Sequence, residues 1–204
     1  MRTFITGICG GSASGKTTLA NELAEALGRD NTNIIALDNY YLDFVNMGHD
    51  PATINYDHPD SIDIKGLASD LKQLQAGSSV EIPVYDFTTH TRSARRNSLF
   101  PRRFTIVEGL FLFNIPLLSP LFDIKIYIDT PEDIRLERRI DRDTKERNRT
   151  PQSVQEQFYR NVSPMHRTFV EPNRKMADLV VDGNKNLAGQ IPGILKLIKL
   201  KSEL

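Results

Sequence analysis

One cysteine, Cys9, is all the 204-residue chain contains, so no disulfide can form within it; that composition suits a reducing compartment. Charge of either sign is missing as an excess, because 26 Lys and Arg balance 26 Asp and Glu. A chain with no net field is not drawn onto DNA or anionic lipid. Neither nucleic acid nor a membrane is therefore expected as a partner, and any anion site must be local. Long hydrophobic runs are absent as well. No stretch approaches the roughly 20 apolar residues that span a bilayer, and "MRTFITGIC" is interrupted by Gly10 and Gly11 too soon to form the core of a signal peptide. A cytoplasmic location is expected. Internal repeats and low-complexity tracts are also lacking, and no composition shift marks a linker. With 39% hydrophobic and 25% charged residues, the chain reads as one globular domain over residues 1–204.

What is present is an alternation of short β-branched runs with longer segments of helical period, the pattern of an α/β protein with a parallel sheet. Strands are expected at 3–9, 33–37, 104–107, 124–128 and 179–181, several of them apolar throughout, as strands covered on both faces must be. Helices are expected at 16–27, 62–75, 131–147, 151–169 and 187–199. Thr130 before Pro131 and Thr150 before Pro151 both read as a capping residue followed by proline in the first turn. Two segments, 39–61 and 80–103, break the alternation and read as insertions. Within the second, "VEIPVYDF" reads as an edge ribbon, since Pro83 has no N–H to give a central ladder.

Gly10, Gly15, Lys16 and Thr17 fit the pattern of a glycine, four residues, then Gly-Lys-Ser/Thr, at the seam between the first strand and the first helix. That context predicts a phosphate loop and a P-loop NTPase fold. The alternative is a glycine-rich turn with a solvent-facing lysine. In a phosphate loop, the backbone N–H groups of Gly10, Gly11, Ser12, Ala13, Ser14, Gly15, Lys16, Thr17 and Thr18 surround a polyphosphate at the positive end of a helix. Lys16 adds a full charge, and the Thr17 hydroxyl suits Mg²⁺.

Two acids follow apolar strands. Asp38 ends "IIALD" and Glu108 ends "FTIVE", and the carboxyl ends of strands are where open parallel sheets build their sites. Asp38 either caps a turn or serves phosphoryl transfer, as acceptor of a hydroxyl proton or as part of a metal's water shell. With Glu108 it makes a two-carboxylate metal site. Residues 138–149, "RRIDRDTKERNR", hold six basic and three acidic side chains. They read either as a solvated helix laced with i,i+4 pairs or as a lid whose Arg139, Arg142, Arg147 and Arg149 close over phosphate, a task for which planar guanidinium is better suited than lysine.

From the phosphate loop to about Asp178 these motifs resemble the uridine kinase family, within the wider uridine kinase and phosphoribulokinase group of P-loop kinases. "LDNYY" is similar to that family's Asp-x-aromatic-Tyr motif, which implies Asp38 as catalytic base and Tyr41 near the sugar. "NYDHPDSID" resembles the segment whose first aspartate, here Asp57, grips ribose hydroxyls. "PVYDFTTHTR" resembles the ribbon that carries Tyr85, Phe87 and His90 to a pyrimidine. Read without the family, the same three residues are an ordinary strand pair and a surface histidine. "VEGLF" is similar to the stretch with the metal-site acid, Glu108, and "RRIDRDTKERNR" to the arginine lid. The helix "EQFYRNVSPMH" resembles the one in which Gln157 meets nucleoside. Where the family reads Pro-Thr-x-x-Tyr-Ala-Asp, this chain has "EPNRKMAD", with Asn173 and Met176 in place of threonine and tyrosine.

The resemblance implies a homo-oligomeric kinase, dimer or tetramer, that moves a phosphoryl group from ATP or GTP, with Mg²⁺, to the 5′-hydroxyl of uridine and cytidine in pyrimidine salvage. Arg142 and Arg147 would then face donor phosphate, and Arg139 and Arg149 the acceptor. Two alternatives stay open at this point. One is a related kinase acting on a sugar phosphate or a pantothenate-like hydroxyl. The other is a nucleotide-binding switch, although "NKNL" at 184–187 lacks the aspartate of a guanine-binding motif.

Overall fold

The computed structural model of the protein describes residues 2–50 and 53–202. The insertion expected at 39–61 includes residues 51 and 52, which lie outside the described residues. Five strands, β1 (Phe4–Gly10), β2 (Thr32–Ala36), β5 (Phe104–Gly109), β6 (Ile124–Asp129) and β7 (Leu179–Asp182), form a wholly parallel sheet in the order β2-β5-β1-β6-β7. β1 and β5 lie inside the sheet with neighbours on both edges, and β5 is buried along its whole length. That explains why both read as continuous apolar runs.

Helices cover the two faces. On one face, Leu19, Ala20, Leu23 and Ala24 of α1 (Lys16–Leu27) pack with Ile8, Ile106, Ile126 and Ile194 of α6 (Ile191–Ser202). On the other, Leu67, Leu71 and Leu74 of α2 (Ile64–Gln75) pack with Ile5, Val107, Phe111 and Phe113. The i, i+4 and i+7 spacing of these leucines is the helical period read from the sequence. No helix among the described residues is long and apolar enough to cross a membrane.

Several boundaries differ from expectation for identifiable reasons. α2 starts at Ile64 because Asp63 caps it, its Oδ1 accepting the Gly66 amide at 2.9 Å. In α3 (Glu132–Glu146) the N-cap is Pro131, and Thr130 does not cap. The Thr130 hydroxyl instead donates to the Ser14 carbonyl at 3.1 Å, so it ties the end of β6 to the phosphate loop. Thr150 does cap α4 (Pro151–Gln157), accepting from the Ser153 amide at 3.2 Å. The helix expected to run on to 169 passes through π-helical segments at Phe158–Val162 and His166–Val170, joined by the α turn α5 (Ser163–Met165). Such insertions widen one turn and often occur at functional sites. The C-terminal helix begins at Ile191, after a 3₁₀ turn at Ala188–Gln190.

The ribbon is not an edge of the main sheet. β3 (Val80–Asp86) and β4 (Thr91–Leu99) form a separate antiparallel pair. Pro83 is tolerated there because each strand has only one partner, and the register shifts between Pro83 and Tyr85. The divergent Asn173 is fully buried. Its Oδ1 accepts from the amides of Leu112, Phe113 and Asn114 at 3.3, 2.7 and 3.1 Å, while Nδ2 donates to the Phe169 and Val170 carbonyls at 2.7 and 3.0 Å. An asparagine side chain offers both halves of this clamp, which fastens the loop after β5 to the long helical segment.

Candidate active site

Sheet register brings the expected residues to one place. Ile8 of β1, Glu108 of β5 and Ala36 of β2 lie in one row. The phosphate loop begins two residues beyond that row on β1, and Asp38 stands two beyond it on β2. Asp38 therefore lies past the strand end, in a 3₁₀ turn at Leu37–Tyr40 closed by the Tyr41 amide on the Asp38 carbonyl at 3.4 Å. Gly109 permits this closeness, because a Cβ there would meet the Leu37 Cβ at 2.5 Å.

Left-handed backbone at Ala13 (φ 61°) and Gly15 (φ 103°) turns the chain about the loop, the conformation that gathers N–H groups into an anion-binding nest. Lys16 Nζ folds over the loop to the Gly11 carbonyl at 2.9 Å. The Thr17 hydroxyl donates to Glu108 Oε1 at 2.9 Å. Burial raises the Glu108 carboxyl above its ordinary range, with Lys16 opposing the rise and Asp38 adding to it. Asp57 is raised likewise by burial; Arg139, Lys16 and Arg142 oppose, and Asp38 adds. Lys16, Asp38, Asp57, Glu108 and Arg142 thus share one electrostatic neighbourhood. Among the described residues no cluster of three or more His, Cys, Asp or Glu side chains forms a metal cage. A hydroxyl beside one or two carboxylates, open to phosphate, is the donor set that suits Mg²⁺, which keeps several waters.

Behind Asp38 stands an aromatic wall. Tyr41 meets Tyr85 with ring centroids 5.2 Å apart and Phe87 at 6.4 Å, and Tyr56 stacks on His90 at 5.1 Å. His90 adopts a left-handed φ of 56° at the ribbon turn. Burial, then Arg147, lowers its pKa, so the ring is neutral at physiological pH. Cys9, directly before the loop, donates to the Leu110 carbonyl at 3.0 Å, and burial pushes its thiol up to about 12. It is no nucleophile.

The arginine segment carries i,i+4 pairs, as at Lys145 and Asp141, but part of it turns inward. Its centre is Asp143, fully buried, with Arg142 at 2.8 Å, Arg139 at 3.5 Å, Arg147 at 3.7 Å and Arg149 at 3.8 Å. Arg139 Nη1 also reaches the Ser12 hydroxyl of the phosphate loop at 2.8 Å, and its Nη2 reaches Gln157 Oε1 at 3.2 Å, where Arg149 donates too. Arg147 lies over the Phe87 ring, 4.8 Å from its centroid, so the arginine segment touches the ribbon. Thr18 is solvent-exposed on α1, and Asp38 and Asp57 are placed by their backbone and by the charges around them, not by side-chain hydrogen bonds.

Asp143 went unread in the sequence although its i±4 spacing to Arg139 and Arg147 was visible there. Arg135 was missed as well. It is 2% exposed beneath the loop, donating Nε to the Thr130 carbonyl at 3.1 Å with its guanidinium 5.7 Å from the centre of the Phe158 ring. Nothing in the residue pattern distinguishes it from its exposed neighbours.

His166, in the second π segment, is held far below its ordinary 6.5, at about 3, by burial and then by Arg135, Lys16 and Arg167. A group whose folded pKa is depressed lends stability that is present above its unfolded pKa and lost as pH falls toward the folded value. Between pH 7 and 5 the protein should lose up to about 2 kcal/mol through this group. His166→Phe should escape that part of the loss. Urea unfolding of both proteins at pH 7 and pH 5 measures it, and equal losses would contradict the assignment.

A glycine-turned loop with Lys16 folded over it, two acids at strand ends and an arginine cluster on a β2-β5-β1-β6-β7 sheet define a P-loop kinase. The model of the phosphoribulokinase / uridine kinase family matches residues 5–187. The chain belongs to that family. It is 43% identical to a uridine kinase of Staphylococcus haemolyticus over 90% of each chain, and 41% identical to a uridine kinase of Lactobacillus johnsonii over 97% of this chain and 98% of that one. Phosphoribulokinase from Rhodobacter spheroides has the same fold, with a TM-score of 0.64 at 17% identity over 92% of this chain and 74% of that one.

Proposed function

We propose that this protein transfers the γ-phosphoryl group of a nucleoside triphosphate, ATP or GTP, to the 5′-hydroxyl of uridine and cytidine, as a pyrimidine salvage enzyme of the cytoplasm. One observation carries the reading: Asp38 sits two residues past the row that joins β1, β5 and β2, in the turn that runs directly into Tyr41 of the aromatic wall, which supports an acceptor hydroxyl beside Asp38 when the base lies on that wall. The curated relatives named uridine kinase support the choice of acceptor.

In this reading the amides of residues 10–18 and Lys16 bind the β- and γ-phosphates. Thr17, Asp38 and Glu108 would hold Mg²⁺, which would neutralise charge on the phosphate oxygens. Asp38 accepts the hydroxyl proton, and Asp57 grips the ribose hydroxyls with Tyr41 alongside. Tyr85 and Phe87 wall the base, and neutral His90 bonds its edge. Arg142 and Arg147 face the transferring phosphoryl group, while Arg139, Arg149 and Gln157 close on the nucleoside. The chemistry is then mainly positioning and charge stabilisation in a site that excludes water. The chain works as one kinase domain with substrate-binding insertions at 39–61 and 80–103 and a lid at 138–150, and it assembles as a homo-oligomer.

A coupled kinase assay across ribonucleosides, 2′-deoxyuridine, sugar phosphates, pantothenate and simple alcohols, with ATP or GTP, tests the reading. Uridine and cytidine should lead, with the deoxy analogue strongly disfavoured because an unpaired Asp57 is left behind. A sugar phosphate or pantothenate as best acceptor overturns it.

A further inference from the structure

Arg92, which no motif singles out, stands on β4 two residues past His90 and directly across from Tyr85 in the ribbon register. Directly opposed residues share a face, so Arg92 lies on the side where Tyr85 meets Tyr41. Its side chain is 20% exposed and reaches beyond the ribbon. Nε donates to the Tyr41 carbonyl at 2.8 Å and Nη2 to the Tyr40 carbonyl at 3.0 Å. Nη1 and Nη2 both approach Asp63 Oδ2, at 3.4 and 3.3 Å.

The groups it holds are themselves fixed. Asp63 caps α2 and sends its own amide to the Tyr40 carbonyl at 2.8 Å, while the Leu42 amide donates to Ser61 at 2.8 Å. The Tyr40 hydroxyl donates to Asp70 Oδ2 of α2 at 2.7 Å. The segment so gripped is the end of the turn that begins Leu37-Asp38. A single planar fork therefore joins three pieces: the ribbon, the start of α2 and the turn bearing Asp38. A guanidinium can hold two adjacent carbonyls and a carboxylate at once in fixed directions, whereas an ammonium is one point charge on a flexible stem.

We propose that Arg92 is a positioning residue for phosphoryl transfer. It locks the Leu37–Tyr41 turn to the ribbon, so that the surface facing the base and the carboxylate facing the hydroxyl move as one body. Without it the ribbon still presents Tyr85, Phe87 and His90, and the nucleoside still binds. Asp38 loses its fixed line to the hydroxyl. The inference rests on the role given to Asp38 above.

The test uses the full chain with Arg92→Ala and Arg92→Lys, each compared with the parent for kcat and nucleoside KM at saturating ATP and for thermal unfolding. A misplacement of about 1 Å costs on the order of 100-fold. The expected result for Arg92→Ala is a kcat about 100-fold lower, with KM within about threefold. Millimolar guanidinium should restore part of that kcat and should do nothing for the parent or for Asp38→Asn. Arg92→Lys should stay at least about tenfold slow, for want of the fork. A raised KM at parental kcat overturns the proposal, since Arg92 would then serve base binding alone. A lost kcat that guanidinium does not restore, with a lowered melting temperature, overturns it in favour of a purely structural role. If Arg92→Ala does not fold, Arg92→Lys decides: parental kcat overturns the proposal, and a fall in kcat at unchanged KM upholds it. Acceptor choice is read from the parent alone. Should the parent prefer another hydroxyl, the same comparison on that acceptor still decides the role of Arg92.

Discussion

Asp38→Asn should bind nucleoside and triphosphate with near-parental affinity and turn over about 10²- to 10⁴-fold more slowly, the range a positioned general base contributes. The asparagine keeps the size of the side chain in the Leu37–Tyr40 turn, and the turn is closed by backbone and by Arg92, not by the carboxylate. Geometry should therefore survive while proton acceptance is lost. Calorimetric titration of each ligand separates binding from turnover. Weak binding with the residual rate of bound complexes unchanged would move Asp38 out of the chemistry and into ligand binding.

The second large effect falls on Asp143. Its carboxylate is fully buried among Arg139, Arg142, Arg147 and Arg149, and its carbonyl accepts the amides of Arg147 and Arg149, each at 3.2 Å. Asp143→Asn removes the only negative charge in that cluster that is fully buried and leaves four cations facing one another. Removing one partner of a buried ion pair costs about 3–5 kcal/mol; three of these arginines are about a third exposed, so solvent screening brings the expected loss to the lower end, about 3 kcal/mol. Catalysis should suffer more. Arginines that stabilise charge on a transferring phosphoryl group are worth 10³–10⁵ in kcat, and here one carboxylate aims all of them, so a fall of about 10³ is expected. Denaturant unfolding and steady-state kinetics of the same preparation check both numbers. A variant of parental stability and turnover would mean that the arginines are positioned by something else.

These two residues mark what the sequence could and could not convey. The position of Asp38 was legible because an apolar run leads into an acid, and open parallel sheets build their sites at the carboxyl ends of strands; the structure puts it two residues past Ala36, where β2 ends. The phosphate loop, Glu108 and the order of strands and helices were legible on the same local terms. Asp143 required knowing that its helix is buried on the side facing the loop. Read as charge alternation, the segment looked solvated, because i,i+4 spacing is the same whether a helix faces water or its own active site. Thr130 misled for a related reason. Its position before Pro131 satisfies the local rule for a cap, but the Ser14 carbonyl lies nearby and takes the hydroxyl. Pro83 marked "VEIPVYDF" as an edge ribbon, yet its pairing with Thr91–Leu99 in a sheet of its own is a tertiary fact. Arg92 belongs to this class entirely: its partners at 40, 41 and 63 are remote in the chain and mostly backbone, and backbone carbonyls leave no trace in residue identity. Asn173 departs from the family pattern in sequence, but only the fold reveals that it clamps three amides.

If triphosphate and ribonucleoside meet end to end across Asp38, phosphorus NMR of the enzyme with ATP, Mg²⁺ and uridine should show the transfer itself. The resonance of a 5′-phosphomonoester should grow as that of the γ-phosphate disappears, with little free phosphate. Release of inorganic phosphate at the same rate with and without uridine, and no ester signal, would contradict it.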